Sequence, residues 1–174
     1  MTKQTRPRVF VPVRLLRRMD GIAAPVTWIA GPAGGGKTTL VRSWLDARKV
    51  PALWYTLEPN DADPATFFLY LGRAAGARRG AKPLPQFRPE YAARQALSRF
   101  ARGFFEELAR RLPKGAAFVL DGLEEISEGS PLQSVLASIA GWIPQRRVIV
   151  ISRGDPPKAW ARLRARRELA LIGW

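Results

Sequence analysis

The chain has 174 residues, 47% of them apolar, which supplies the core of one ordinary domain and excludes a disordered tail. With no cysteine and no histidine, it can form neither disulfides nor thiolate metal sites, and any catalysis must run on carboxylates, hydroxyls, lysine, arginine or a bound metal. The formal charge of +15 (29 Lys and Arg against 14 Asp and Glu) is concentrated in residues 3–18 and 158–167, while six acids fall between Glu106 and Glu128.

Every apolar stretch is broken by charge or proline short of the roughly 20 residues that cross a bilayer, and residues 1–20 lack the apolar run of a signal peptide. A cytoplasmic protein with no membrane partner is expected. Residues 1–20 read as a basic N-terminal segment and residues 21–174 as the domain proper.

Residues 26–30 (VTWIA) form a short run of β-formers leading directly into glycines, which predicts a buried first strand. From Thr38 the period changes. Leu40, Val41, Trp44 and Leu45 share one helical face, and Arg42, Ser43, Asp46 and Arg48 the other. A second strand is predicted at 52–57, and Asp63 before Pro64 supplies an N-cap and a first-turn proline for a helix reaching about Ala75. Residues 76–89, rich in glycine, proline and charge, read as a mobile surface loop.

Leu97, Phe100, Phe104, Leu108 and Leu112 recur at helical spacing, predicting one long amphipathic helix from Glu90 to Leu112. Residues 116–120 then make a third strand ending at Asp121. Ser130 and Pro131 open a helix whose buried stripe is Leu132, Val135, Leu136, Ile139 and Trp142. Residues 148–151 (VIVI) form a continuous apolar strand of the kind buried on both faces of a parallel sheet, and 169–172 a fifth strand. Strands alternating with helices argue for an open α/β sheet covered on both faces.

Gly31, Gly36, Lys37 and Thr38 meet the full pattern G-x-x-x-x-G-K-[ST] between a predicted strand and a predicted helix, the context the motif requires. The loop Gly31, Pro32, Ala33, Gly34, Gly35, Gly36, Lys37, Thr38, Thr39 is therefore the candidate cradle for the phosphates of ATP or ADP. Its glycines let successive N–H groups and a helix N-terminus approach an anion. Lys37 would reach the terminal phosphates, and the Thr38 hydroxyl would ligate Mg²⁺. A turn that merely joins strand to helix would gain nothing from three successive glycines, each costly in backbone entropy.

Asp121 ends an apolar strand at the sheet edge where open α/β folds bind ligands, which makes it the natural candidate partner for Mg²⁺, or else an ordinary Asp that ends a strand and opens a loop. Hydrolysis also needs a group that orients or deprotonates water, often the acid after the metal-binding Asp. Here that position is Gly122. Glu124 and Glu125 are the nearby substitutes, or else a solvated acidic turn. Ser152 and Arg153 end the fourth strand at the same edge. Arg153 is either a sensor of the γ-phosphate, through its forked donors, or a surface arginine opening the next loop.

Residues 11–20 (VPVRLLRRMD), 30–40 (AGPAGGGKTTL), 60–68 (NDADPATFF), 152–157 (SRGDPP) and 162–166 (RLRAR) together resemble the nucleotide-binding domain of MalT-like, LuxR-type transcriptional activators, which are signal-transduction ATPases of the STAND class. The S-R-x-D-P-P segment is the more specific mark, since the phosphate loop is shared with many ATPases. The resemblance implies a P-loop three-layer sandwich with a five-stranded parallel sheet in the order 5-1-4-3-2. It implies ATP as activating and ADP as resting ligand, and Arg153 as phosphate sensor. The segment near residues 11–16 would pack over the adenine.

Those activators usually carry a second acid where Gly122 stands, so hydrolysis is expected to be slow or absent. They also continue into regulatory modules and a helix-turn-helix that this sequence does not contain. The expected partners are nucleotide, further modules and a second copy on ATP binding, with direct DNA binding by this chain not expected. The competing reading is a nonspecific nucleic-acid binder using the C-terminal arginines, with a vestigial nucleotide site. A small-molecule kinase, with residues 76–89 as lid, lacks an acceptor motif.

Overall fold

Five strands, β1 (Val26–Ala30), β2 (Ala52–Thr56), β3 (Ala117–Asp121), β4 (Arg147–Ser152) and β5 (Leu169–Gly173), pair in the order β2-β3-β4-β1-β5 in the computed structural model, which describes residues 12–76 and 83–173. All four pairings are parallel, and the order is that expected from the resemblance, read from the other edge. Every residue of β1 is buried, as are Val148–Ser152 of β4, because both faces of the sheet are covered.

One face carries α1 (Val13–Asp20) and α2 (Lys37–Arg48). Met19, Leu40, Val41, Trp44 and Leu45 meet Ile29, Val119, Ile149, Ile151 and Ile172 there. The other face carries α3 (Pro64–Ala74), α4 (Arg94–Arg111), α5 (Pro131–Leu136) and α6 (Ile139–Trp142), whose aromatics pack on Trp28, Tyr55, Phe118 and Val150. A last helix, α7 (Ala161–Ala165), leads into β5.

The predicted caps are in place. The Asp63 carboxylate accepts from Thr66 N at 3.0 Å, and the Ser130 hydroxyl from Leu132 N at 3.2 Å, each before a proline in the first turn. The single helix expected from Pro131 to Trp142 is instead two. The Ser138 hydroxyl donates back to Ser134 O (2.9 Å), and Ser138 N bonds to Val135 O, three residues back, so the helix tightens and bends between α5 and α6.

The long fourth helix starts at Arg94, after a single 3₁₀ turn over Pro89–Tyr91. Residues 83–88 are not a detached loop, since Leu84 and Phe87 pack on the core and Phe87 stacks on Phe68 at 6.0 Å. The remainder of the expected loop, residues 77–82, lies outside the described residues, as do residues 1–11.

The N-terminal segment contributes a helix that its sequence does not announce. Helix α1 lies on α2 and is pinned through Asp20. That carboxylate accepts from the Trp44 indole at 2.9 Å and from Arg48 Nη2 at 2.6 Å. Arg147 of β4 closes the same corner, with its guanidinium over the Trp44 ring and hydrogen bonds to Met19 O and Ile22 O.

Candidate functional site

Strand β1 delivers the chain into the loop from Gly31 to Gly36, and α2 begins at Lys37. Gly34 and Gly36 have φ of +73° and +82°, and an added Cβ would meet nothing within 4 Å at either, so these glycines answer a backbone requirement and leave open space beside the loop. Gly31 N is tied to Ser152 O (3.3 Å), which joins the loop to the end of β4.

Lys37 is only 8% exposed, and its ammonium donates to Gly31 O (2.7 Å) and Pro32 O (2.8 Å). The ammonium is thus folded into the loop and satisfied by carbonyls, which are weaker partners than phosphate oxygens. In the first turn of α2 the Thr38 hydroxyl donates to Asp121 Oδ2 at 3.1 Å.

Asp121 ends β3, opposite Thr56 of β2 and Ile151 of β4. Burial pushes its carboxyl above the usual carboxylate range. The Thr38 hydrogen bond, Arg42 and Lys37 oppose that rise, and Glu124 adds to it. An ionised carboxylate held here therefore gains from a nearby cation. The hydroxyl and carboxylate are hard oxygen donors of the type magnesium prefers. Among the described residues no three acidic side chains gather that could hold a metal alone, so an ion here would complete its shell with phosphate oxygens and water.

After Asp121, Gly122 takes φ +90°, and a Cβ built on it would lie 3.3 Å from Leu57 O. This turn starts a 3₁₀ helix, Leu123–Glu125, whose Leu123 is buried. Glu124 faces Arg153: Oε1 lies 2.9 Å from its Nε, and Oε2 accepts from its backbone N at 3.2 Å. The Glu125 side chain makes no hydrogen bond or ion pair among the described residues, although its backbone N donates to Gly122 O at 3.0 Å. The structure thus brings Lys37, Thr38 and Asp121 together, couples Glu124 to Arg153, and leaves Glu125 to one side.

Beyond Arg153, the Trp28 indole donates to Gly154 O at 3.0 Å, and Trp28 packs edge-on against Trp160 at 5.1 Å. Trp160 in turn donates to Gln133 Oε1 (3.2 Å), itself fixed by Gln133 Nε2 donating to Ile126 O. Sequence reasoning missed this chain, because Trp160 stands in a basic run and Gln133 on the polar side of the predicted stripe. Arg162, Arg164, Arg166 and Arg167 are exposed, but the aromatic beside them, Trp160, is in the core, so the run offers no stacking platform for bases.

A cavity of about 800 Å³ lies away from the phosphate loop, between α3 and residues 83–87, with Phe68, Leu69, Leu84, Phe87 and Phe104 in its wall. No convergent polar side chains of the phosphate loop or strand ends reach it. No helix among the described residues is long and apolar enough to cross a membrane.

No protein-family model matches the chain. The chain is 30% identical over 165 residues to the HTH-type transcriptional regulator MalT of Cronobacter sakazakii, covering 92% of this chain and 18% of that protein. MalT of Yersinia enterocolitica is 31% identical over 166 residues, with the same coverage of 92% and 18%. MalT of Vibrio cholerae is 30% identical over 144 residues, covering 82% and 16%. The resemblance read from separate motifs therefore runs through nearly the whole chain, which spans at most 18% of the length of these relatives. Among solved structures, a DNA replication initiation factor superposes with a TM-score of 0.50 at 15% identity, over 95% of this chain and 48% of that one. The fold is thus an α/β three-layer sandwich, a five-stranded parallel sheet with helices on both faces.

Proposed function

We propose that this chain is the nucleotide-binding switch domain of a MalT-like, STAND-class regulator, which binds ATP and ADP with Mg²⁺ and hydrolyses ATP slowly or not at all. The observation that carries this reading is the meeting of Lys37, Thr38 and Asp121 at one sheet edge, with the Thr38 hydroxyl 3.1 Å from the Asp121 carboxylate. The glycine loop from Gly31 to Thr39 is then a Walker A loop.

Lys37 binds by exchange. Its ammonium gives up the Gly31 and Pro32 carbonyls for phosphate oxygens, while the N–H groups at the start of α2 turn toward the same anion. Thr38 and Asp121 hold the cation, which when bound offsets the phosphate charge. Arg153, across the edge from Asp121, reads the terminal phosphate. Gly122 offers no carboxylate beside Asp121, and Glu124, with both oxygens on Arg153, does not stand ready to activate water.

A ligand shifts a protein between states only through unequal affinity for them. The partners that convert this difference into output are further modules of a longer regulator or a second copy, and DNA contact belongs to those modules. Calorimetry with Mg-ATP and Mg-ADP tests the site: wild type binds both, and Lys37→Ala weakens both by at least about tenfold, the scale of one charge-assisted contact. Equal binding by the variant would overturn the assignment. Nucleotide released on denaturing the purified protein should be ADP.

A further inference from the structure

The Glu124 carboxylate spends both oxygens on a single residue. Oε1 meets Arg153 Nε at 2.9 Å, and Oε2 accepts from the Arg153 backbone N at 3.2 Å. The glutamate cannot swing away easily. It sits in the 3₁₀ turn Leu123–Glu125, whose Leu123 is 1% exposed in the core, and the turn is opened by Gly122 in a conformation only glycine adopts readily. The Glu124 side chain is 24% exposed, whereas that of Arg153 is 62% exposed.

We propose that Glu124 is a positioning residue, which holds Arg153 by its Nε edge and backbone so that the two terminal guanidinium nitrogens face the γ-phosphate. This rests on the switch reading above and assigns Glu124 a different role from that of a water-activating base. A long, exposed arginine on a loop samples many rotamers, and each contact it makes then costs conformational entropy. A carboxylate on Nε removes much of that freedom while leaving the Nη pair, the fork that matches phosphate, uncommitted. The loop on the other side of Arg153 is fixed as well, by Trp28 Nε1 on Gly154 O. Both ends of the sensor are therefore held before any nucleotide arrives.

The measured quantity is the ratio of the ATP and ADP dissociation constants with Mg²⁺, for wild type, Arg153→Ala, Glu124→Ala, Glu124→Gln and the double alanine variant. Thermal unfolding of each confirms that it is folded. Arg153→Ala should shift the ratio against ATP on the order of tenfold. Glu124→Ala should shift it the same way, by about threefold or more, and add nothing in the double variant, as coupled residues behave. Glu124→Gln, which keeps one acceptor oxygen, should fall between. A wild-type ratio in Glu124→Ala, full additivity with Arg153→Ala, or a shift toward ATP, as a latch would give, overturns the proposal. If Arg153→Ala itself leaves the ratio unchanged, the sensor reading fails and the role of Glu124 with it. Sensitivity at Arg153 with none at Glu124 overturns the positioning role alone.

Discussion

The Thr38 hydroxyl donates to the Asp121 carboxylate across 3.1 Å, joining the first turn of α2 to the end of β3. That carboxylate is half-buried and its acidity is weakened by burial, so keeping it ionised at neutral pH works against the nucleotide-free fold. Asp121→Asn removes the charge and keeps an acceptor for Thr38. The expected outcome is a higher melting temperature without ligand and a nucleotide affinity that no longer responds to Mg²⁺. Differential scanning fluorimetry with and without Mg²⁺ checks both. A lower melting temperature would refute the burial argument.

Gly122→Asp should not create an ATPase. The position has φ +90°, and a new Cβ would press on Leu57 O at 3.3 Å. The backbone strain should cost about 1–3 kcal/mol in denaturant unfolding. Phosphate release should stay at the wild-type level. A gain in turnover at undiminished stability would show that the turn accommodates an acid after all.

Asp20 is held down to about 2 from the ordinary 3.8, first by the hydrogen bond from Arg48 and then by that from Trp44. A depressed carboxylate stabilises the fold above its unfolded value and loses that contribution as pH falls through its folded one. The grip of α1 on α2 should therefore weaken between about pH 4 and pH 2. Trp44 emission followed through acid should show a step there that Asp20→Asn lacks. An identical titration in the variant would place the step elsewhere.

Trp160→Ala removes a fully buried indole that touches Trp28 and satisfies Gln133. The loss expected for a large core aromatic is about 3–5 kcal/mol. The loop after Arg153 should loosen with it, seen as faster amide exchange at Gly154, Asp155 and Lys158. A loss below about 1 kcal/mol would mean that the loop is held by other contacts.

The strands and the phosphate loop were legible because their signals are local. An apolar run, a glycine series and a Lys-Thr pair need no distant partner to be recognised. Strand order came from the resemblance, not from periodicity. The Asp20 corner was hidden, because an acid at the end of a basic segment gives no sign of meeting Trp44 and Arg48 on another helix. Glu124 is similar. Its sequence neighbourhood suggests a catalytic acid, and only the placement of β4 beside β3 brings Arg153 within 2.9 Å of it. The bend between α5 and α6 depends on one serine hydroxyl choosing a backbone carbonyl, a choice composition does not record.

The edge-on pair of Trp28 and Trp160 gives the molecule a built-in optical probe. Two indoles with centroids 5.1 Å apart couple their electronic transitions, and one of them donates its N–H to the residue after Arg153. If nucleotide pulls that arginine, the 3.0 Å hydrogen bond to Gly154 changes length and the near-ultraviolet circular dichroism of the pair changes with it. Occupancy of the site could then be followed in unlabelled protein, from a signal arising beneath the sheet edge and not at the ligand itself.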